Sequence, residues 1–311
     1  MKIITSLLLS LLAFNMNGAS ASTEKIKVAN EGFEFPPFYF FQNSSGGSMK
    51  KTGFEIDLIQ VILKKNNLNY SLIQTYEGIG EKTNLNMPEK GPIDFKDLLP
   101  GLYAKTSKGF AWDLVTATFG ITEERKKNYD FSNPIYIATK HFFGNPNKIQ
   151  INTIPDDLVG LSIAVEANTL FEAYVRNLNL MLEKKLGNKE SIKVIPVSAN
   201  ASGSPIENVF NMVISGKADL TVTDDEVYLA KKEKDQIKFS QIGMIGTEIM
   251  STSGSGGEKF GNGVGIAMRK GSSLKLMIDK TVKEMLRDCS YQTIYKKYFK
   301  IPSPLVSKNC K

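Results

Sequence analysis

Residues 116–136 read TATFGITEERKKNYDFSNPIY, and this segment predicts a strand that leads into the start of a helix. Residues 112–119 are mostly apolar, as expected of a buried strand. Thr122 is a favourable N-cap residue, which places Arg125 in the first helical turn. We expect the backbone amides of residues 120–123 and the guanidinium of Arg125 to point at one carboxylate. The segment therefore predicts a site for an anionic group.

Other segments of the chain share motifs with one protein family. They are FPPF at 35–38, GFEIDL at 53–58, DFKDLLPGL at 94–102, DLVGLSIAVEANT at 157–169, ADLTVTDD at 218–225, and the stretch from GIAMRKGSSL to CSYQTIYKKYF at 265–299. With GITEER and DFSNPIY in the opening segment, they occur in the order typical of the bacterial extracellular solute-binding proteins of family 3. The sequence closely resembles this family, the polar amino acid receptors of ABC importers, over almost its whole length.

The spacing of apolar residues predicts an α/β protein. Helices alternate with short apolar strands, which indicates mostly parallel sheets, and the alternation starts again after Asp130. The resemblance implies the type II periplasmic binding protein fold, with two α/β domains joined by a two-strand hinge. We expect lobe one to comprise residues 22–138 and 256–311, the latter including the C-terminal tail, and lobe two to comprise residues 139–255.

The N-terminal residues 1–21 have the pattern of a secretory signal peptide. Lys2 precedes an apolar run, and the small residues Ala19, Ser20 and Ala21 end it. The run is shorter than the roughly 20 residues that cross a bilayer. We expect cleavage after Ala21 and, from the resemblance, a periplasmic protein; an uncleaved or lipidated anchor is the alternative.

Cysteine and histidine usage argues against nucleophilic catalysis. Cys289 and Cys310 are the only cysteines, and in an exported chain an isolated pair predicts a disulfide. That disulfide would tie the tail to the last helix. His141 is the only histidine, and we expect it to be structural. We predict no catalytic residue, no metal and no cofactor.

The charge distribution argues against a nucleic-acid partner. The formal net charge is +7, but the lysines are scattered in pairs such as Lys126-Lys127 rather than clustered with aromatic residues. We expect a monomer that binds a small ligand. The resemblance implies an ABC transporter permease in the inner membrane as its partner.

A receptor for an amino acid must hold a carboxylate and an ammonium group, and each buried charge needs a partner. Arg125 and the amide of Gly120 are the candidates for the carboxylate. Many relatives have Ser or Thr at position 120, so a hydroxyl contact is lost here. Asp224 stands where the family keeps an acid and is the candidate for the ammonium, together with Thr118. The alternative for Asp224 is a helix cap.

The remaining candidates follow from the resemblance. Phe35 and Phe95 match positions at which relatives have aromatic or large apolar residues over the ligand; core packing is the alternative. Thr169 is expected to cap a helix and to contact the ligand carboxylate. Asn168 replaces the family's usual glycine, which Asn permits because it accepts left-handed dihedrals.

The function that the resemblance implies is capture of a polar amino acid by hinge closure. Whether Glu31, Glu166 or Asp225 enters the cleft stays open, but Glu166 in the cleft would favour a cationic side chain. The implied fold also resembles that of the cyclohexadienyl dehydratases, in which a cleft carboxylate is a general acid, so an enzyme on this fold is a second possibility. A ligand-sensing adaptor without a transport role is a third possibility.

Overall fold

The structure is a computed structural model that contains two five-stranded sheets. It describes residues 25–43, 47–77, 79, 85, 87–107, 109–187, 191–200, 203–249, 263–299 and 301–310. The predicted signal peptide, 1–21, lies outside the described residues. None of the helices in the described part of the chain combines the length and the hydropathy needed to cross a membrane.

Most of the predicted strands and helices are present. The strands are β1 Ile26–Ala29, β2 Phe40–Asn43, β3 Met49–Thr52, β4 Tyr70–Ile73, β5 Lys105–Thr106, β6 Gly109–Phe110, β7 Leu114–Val115, β8 Tyr129–Phe131, β9 Lys140–Gly144, β10 Ser162–Glu166, β11 Lys193–Val197, β12 Leu220–Asp224, β13 Gly243–Ile245 and β14 Ala267–Arg269. The α-helices are α1 Phe54–Lys65, α2 Phe95–Gly101, α3 Glu123–Asn128, α4 Leu170–Leu186, α5 Pro205–Ile214, α6 Asp225–Lys234, α7 Leu274–Arg287 and α8 Ser290–Phe299.

The first sheet lies in lobe one and has the order β4-β1-β7-β14-β8. β1 pairs in parallel with β4 and β7, whereas β14 returns from the C-terminal part of the chain and pairs antiparallel with β7 and β8. Helices α1, α7 and α8 pack against one another. Phe54 anchors this packing, since its ring makes edge contacts with Tyr291, Tyr295 and Phe299.

The second sheet lies in lobe two and has the order β11-β10-β12-β9-β13. β10 lies between β11 and β12 and is parallel to both. β9 is antiparallel to β12 and β13, and its register sets Lys140 opposite Asp224. The carboxyl ends of β10 and β12 therefore lie together at one edge of the sheet, where α/β proteins commonly bind ligands.

The chain crosses between the two sheets after β8 and again before β14. At the junction Ile135 N–H donates to Val264 O, and Val264 N–H donates to Tyr136 O, both at 2.8 Å. Residues 250–262 of the return crossing lie outside the described residues. The lobe boundaries at 138/139 and 255/256 stay a prediction.

One local expectation was wrong. The strand expected at 112–119 is only Leu114–Val115, because the backbone beyond it turns and Thr118 has φ 50°. Residues 274–299 form two helices that break at Cys289, which has φ 64°. The hairpin of β2 and β3 was not predicted from the sequence.

The predicted disulfide is confirmed. Cys289 and Cys310 are joined, with their Cα atoms 5.3 Å apart. The bond lies between the break that precedes α8 and the C-terminal segment, so it ties the tail to lobe one, as the sequence predicted.

Candidate ligand-binding site

A cavity between the two lobes is lined by all seven residues predicted to bind ligand. Phe35, Phe95, Thr118, Gly120 and Arg125 reach it from lobe one, and Thr169 and Asp224 reach it from lobe two. The structure therefore brings together residues from distant parts of the sequence. That they bind a ligand stays a prediction.

The arginine corner is formed by Arg125 and the chain that precedes its helix. Thr122 is the N-cap of α3, because its Oγ1 accepts the N–H of Arg125 at 3.1 Å. The guanidinium Nη1 donates to Gly120 O at 2.9 Å, and Cζ lies 4.9 Å from the centre of the Phe119 ring. These contacts fix the orientation of a planar cation at the cavity wall.

One donor expected in this corner has another partner. The N–H of Ile121 donates to Gly263 O at 2.9 Å, so the expectation that all the amides of residues 120–123 converge on one anion was wrong. The chain that returns from lobe two accepts this N–H, because it pairs with the segment that precedes α3. An anion in this corner would depend chiefly on the side chain of Arg125.

Two phenylalanines form apolar walls in lobe one. Phe95, at the start of α2, stacks on Phe119 with ring centres 4.3 Å apart. Phe35 is buried and stacks on Phe38 and Tyr39, in each case at 5.9 Å. Both residues line the cavity and pack against neighbouring rings, so the core packing is observed, and their contact with a ligand stays a prediction.

The turn between β10 and α4 supplies the opposite wall. Asn168 has φ 62°, the left-handed conformation predicted for it. Thr169 caps α4, with its Oγ1 accepting the N–H of Glu172 at 3.4 Å and donating to Glu166 O at 2.7 Å. Because the hydroxyl is occupied on both sides, the predicted hydroxyl contact to a ligand carboxylate is not favoured, and the backbone N–H of Thr169 is the better candidate.

Asp224 does not cap the helix that follows it. It occupies the N-cap position of α6, but its side chain makes no capping hydrogen bond. Its Oδ1 lies 3.3 Å from Nζ of Lys140, and burial raises the pKa of its carboxyl group. Asp225 instead contacts His141, with Oδ1 2.8 Å from Nδ1, which gives that histidine a structural partner.

Glu31 and Glu166 both line the cavity, which answers a question that the sequence left open. Their exposed fractions are 5% and 7%. Burial raises the pKa of Glu31 to about 7, although the hydroxyl of Tyr39 donates to its Oε2 at 2.9 Å. Burial and the nearby charges of Glu31 and Asp224 raise the pKa of Glu166 well above its usual value.

The cavity therefore has more acids than bases among its described residues. Glu31, Asp94, Glu166 and Asp224 are the acids, and Arg125 and Lys140 are the bases. Among the described residues, no group of three or more His, Cys, Asp or Glu side chains is arranged to hold a metal ion. An excess of acids around the cavity favours a cationic group in its occupant.

Sequence reasoning missed several of the lining residues. Lys140 and Asp94 line the cavity, and Phe119 connects Arg125 to Phe95. Lys140 could be found only from the register of β9 on β12, which no local pattern encodes. Asp94 had a local signal, because it begins the DFKDLLPGL motif and caps α2.

The chain is similar to several amino-acid-binding proteins. The histidine-binding periplasmic protein of Escherichia coli strain K12 is 23% identical over 309 residues, which cover 96% of both chains. A solved structure of an ancestral arginine-binding protein bound to arginine has 30% identity and a TM-score of 0.62, covering 88% of this chain and 98% of that one. A second structure, of an ancestral arginine-binding protein bound to glutamine, has 28% identity and a TM-score of 0.61, covering 88% and 97%.

The same comparisons confirm the fold expected from the motifs, the two-lobed type II periplasmic binding protein fold. The sequence profile of the family matches residues 26–301, which span both sheets of the structure. The chain belongs to the bacterial extracellular solute-binding proteins, family 3.

Proposed function

We propose that this protein captures an L-amino acid with a cationic side chain between its lobes in the periplasm and delivers it to an ABC transporter permease. Arg125 binds the carboxylate, and Asp224, with the carbonyl of Thr118, binds the α-ammonium. Glu31 and Glu166 bind the cationic side chain, with Phe35 and Phe95 as its apolar walls. Residues 1–21 direct export and are removed after Ala21, and the chain acts as a monomer.

The observation that carries the proposal is the burial of Glu31, Glu166 and Asp224 around one cavity. Burial raises the pKa of each of these carboxyl groups, and the charges of Glu31 and Asp224 raise the pKa of Glu166 further. A ligand with two positive groups and one negative group neutralises this arrangement. A neutral amino acid would bring no cation to Glu31 and Glu166, which would keep their protons and form no ion pair with its side chain.

The relatives support an amino acid as the ligand but do not identify which one. Two are named for arginine and histidine, and one of the solved structures holds glutamine. The choice of a cationic side chain therefore rests on the carboxylates of this chain.

The test is a thermal-shift screen of the refolded, ligand-free protein against the twenty standard L-amino acids, L-ornithine and prephenate. A ligand present at 100 times its dissociation constant adds about 2.7 kcal/mol to the free energy of unfolding. We therefore expect one or more of arginine, lysine, ornithine and histidine to raise the melting temperature by several degrees. Glu166→Gln should reduce the rise, whereas Glu233→Gln, on the exposed surface of α6, should not.

Three results would contradict the proposal. A rise in melting temperature with neutral amino acids alone would contradict the role assigned to Glu31 and Glu166. Conversion of prephenate would make the protein a dehydratase, with the protonated form of Glu166 as a general acid. If no compound in the panel raises the melting temperature, the result would favour a sensory protein with a different ligand.

A further inference from the structure

The cavity wall at Gly120 is closed by a side chain from the other lobe. A β-carbon built on Gly120 with ideal geometry would lie 2.8 Å from Cδ1 of Leu170 and 3.9 Å from Nη1 of Arg125. Two carbon atoms in favourable contact are about 3.5 to 4.0 Å apart. Leu170 therefore takes part of the space that any side chain at position 120 would occupy.

The glycine is not required by its own backbone. Its φ lies outside the left-handed region, and it pairs with Val264 in an antiparallel bridge. An alanine at position 120 would therefore meet no backbone strain. The neighbour that an alanine would meet at short distance belongs to lobe two, so its effect depends on the distance between the lobes.

Leu170 stands at the capped start of a helix. It is the first residue of α4, directly after Thr169, whose hydroxyl is bonded to both Glu166 O and Glu172 N–H. Its side chain is half-buried and packs against the apolar core of lobe two. An added methyl group at position 120 must therefore be met by a rotation of the leucine side chain or by a wider separation of the lobes.

We propose that Gly120 and Leu170 are a size-matched pair that sets how far the lobes close over Arg125. The leucine would also shield the guanidinium from water, which strengthens its attraction for a ligand carboxylate because the local dielectric falls. Leu170 is in this sense a positioning residue for ligand capture. The proposal rests on the proposed function for its ligand, but the closing contact itself does not depend on which ligand binds.

The experiment is a double-mutant cycle with Gly120→Ala, Leu170→Ala and the two combined. Dissociation constants for L-arginine are measured by isothermal titration calorimetry. Spin labels on cysteines introduced at Lys184 and Lys283, exposed positions on α4 and α7, report the distance between the lobes by pulsed electron paramagnetic resonance. The native cysteines are joined in a disulfide and do not react with the label. Gly243→Ala is the matched control, since its β-carbon would meet only Pro146 within lobe two.

Overpacking of a tight contact costs about 1 to 3 kcal/mol, so Gly120→Ala should weaken L-arginine binding roughly 5- to 150-fold. In the double variant most of this loss should be recovered relative to Leu170→Ala. The closed population should fall in Gly120→Ala and return in the double variant, and Gly243→Ala should match the wild type in both measurements.

The proposal is overturned if Gly120→Ala binds as tightly as the wild type, or if the losses of the two single variants simply add. If the wild type binds no amino acid, the proposed function fails. The closing contact is then judged on the ligand-free protein, where Gly120→Ala must lower the closed population and Leu170→Ala must restore it on that background.

Discussion

Both carboxylate oxygens of Glu55 accept the backbone N–H of Thr118, at 2.9 and 3.1 Å. Thr118 has φ 50°, a conformation that is strained for a β-branched residue. The same carboxylate accepts the hydroxyl of Thr116 at 2.9 Å. A buried acid on α1 thus holds the strained residue at the cavity wall, and Glu55 is a positioning residue for the carbonyl of Thr118.

Glu55→Ala should lower both stability and ligand affinity. It leaves a buried N–H without its acceptor, which costs about 1 to 3 kcal/mol of the free energy of unfolding, and it lets Thr118 relax away from the ligand. Asp57→Ala, on the same helix, removes contacts with Lys297 and Tyr298 and should leave the dissociation constant unchanged. Equal affinities in the two variants would argue against a positioning role.

Arg125→Ala should weaken amino acid binding about 10- to 150-fold, because hydrogen bonds to a charged group contribute roughly 1.5 to 3 kcal/mol. Arg125→Lys should recover only part of the loss, since a lysine lacks the planar fork that binds a carboxylate through two hydrogen bonds. The measurement is titration calorimetry. Arg176→Ala, which removes a surface pair with Glu172, is the control, and a loss of the same size there would contradict the assignment.

Lys140→Met should strengthen binding of a cationic amino acid several-fold. In the structure Nζ of Lys140 lies 3.3 Å from Oδ1 of Asp224, which is the group assigned to the ligand ammonium. Removing this competing cation leaves Asp224 to the ligand, and it also leaves a buried charge unpaired in the free protein. The ligand-free melting temperature should therefore fall while affinity rises; weaker binding would show that Lys140 is itself a ligand contact.

Affinity should increase with pH between about 5 and 8. The free protein has Glu31 with a pKa of about 7, and the pKa of Glu166 is also raised. Below this range both carboxyls hold a proton that a cationic ligand must displace, whereas a bound cation lowers their pKa values. Tyr39, Lys51, Asp94 and Glu166 influence Glu31 as well, so a matched titration of Glu31→Gln isolates its part. A flat profile in the wild type would contradict the prediction.

Loss of the disulfide should lower stability without changing affinity. Cys289 and Cys310 are 21 residues apart, and closing a loop of this size contributes about 3 kcal/mol in the chain-entropy model. The variant with both cysteines replaced by serine should melt at a lower temperature and be insensitive to reductant. Its dissociation constant should match the wild type, because the bond ties the tail of lobe one; a changed constant would mean that the tail affects closure.

The sequence predicted which residues line the cavity better than it predicted the local structure around them. Arg125 and Thr122 were found because capping and strand-to-helix transitions are local signals, and Thr122 is the N-cap as predicted. The strand before them was predicted too long, since apolar spacing continues to Phe119 while the backbone turns at Thr118. Tertiary contacts from Glu55 decide this turn, and no local pattern shows them.

The acidity of the cavity was only partly visible in the sequence. Glu31, Glu166 and Asp224 come from three separate strand ends. From the sequence alone, each could equally be a solvent-exposed acid. Their proximity depends on lobe closure and on parallel strand order. Lys140 was missed for the same reason, since its pairing with Asp224 follows from the antiparallel register of β9 and β12.

The most direct test of the central claim is a calorimetric comparison of L-arginine with L-citrulline, which have nearly the same shape but differ in side-chain charge. We expect the wild type to bind L-arginine at least about tenfold more tightly, a difference of roughly 1.4 kcal/mol. The combined variant Glu31→Gln/Glu166→Gln should bind the two ligands almost equally. Equal or tighter binding of L-citrulline by the wild type would contradict the claim that buried carboxylates select a cationic side chain.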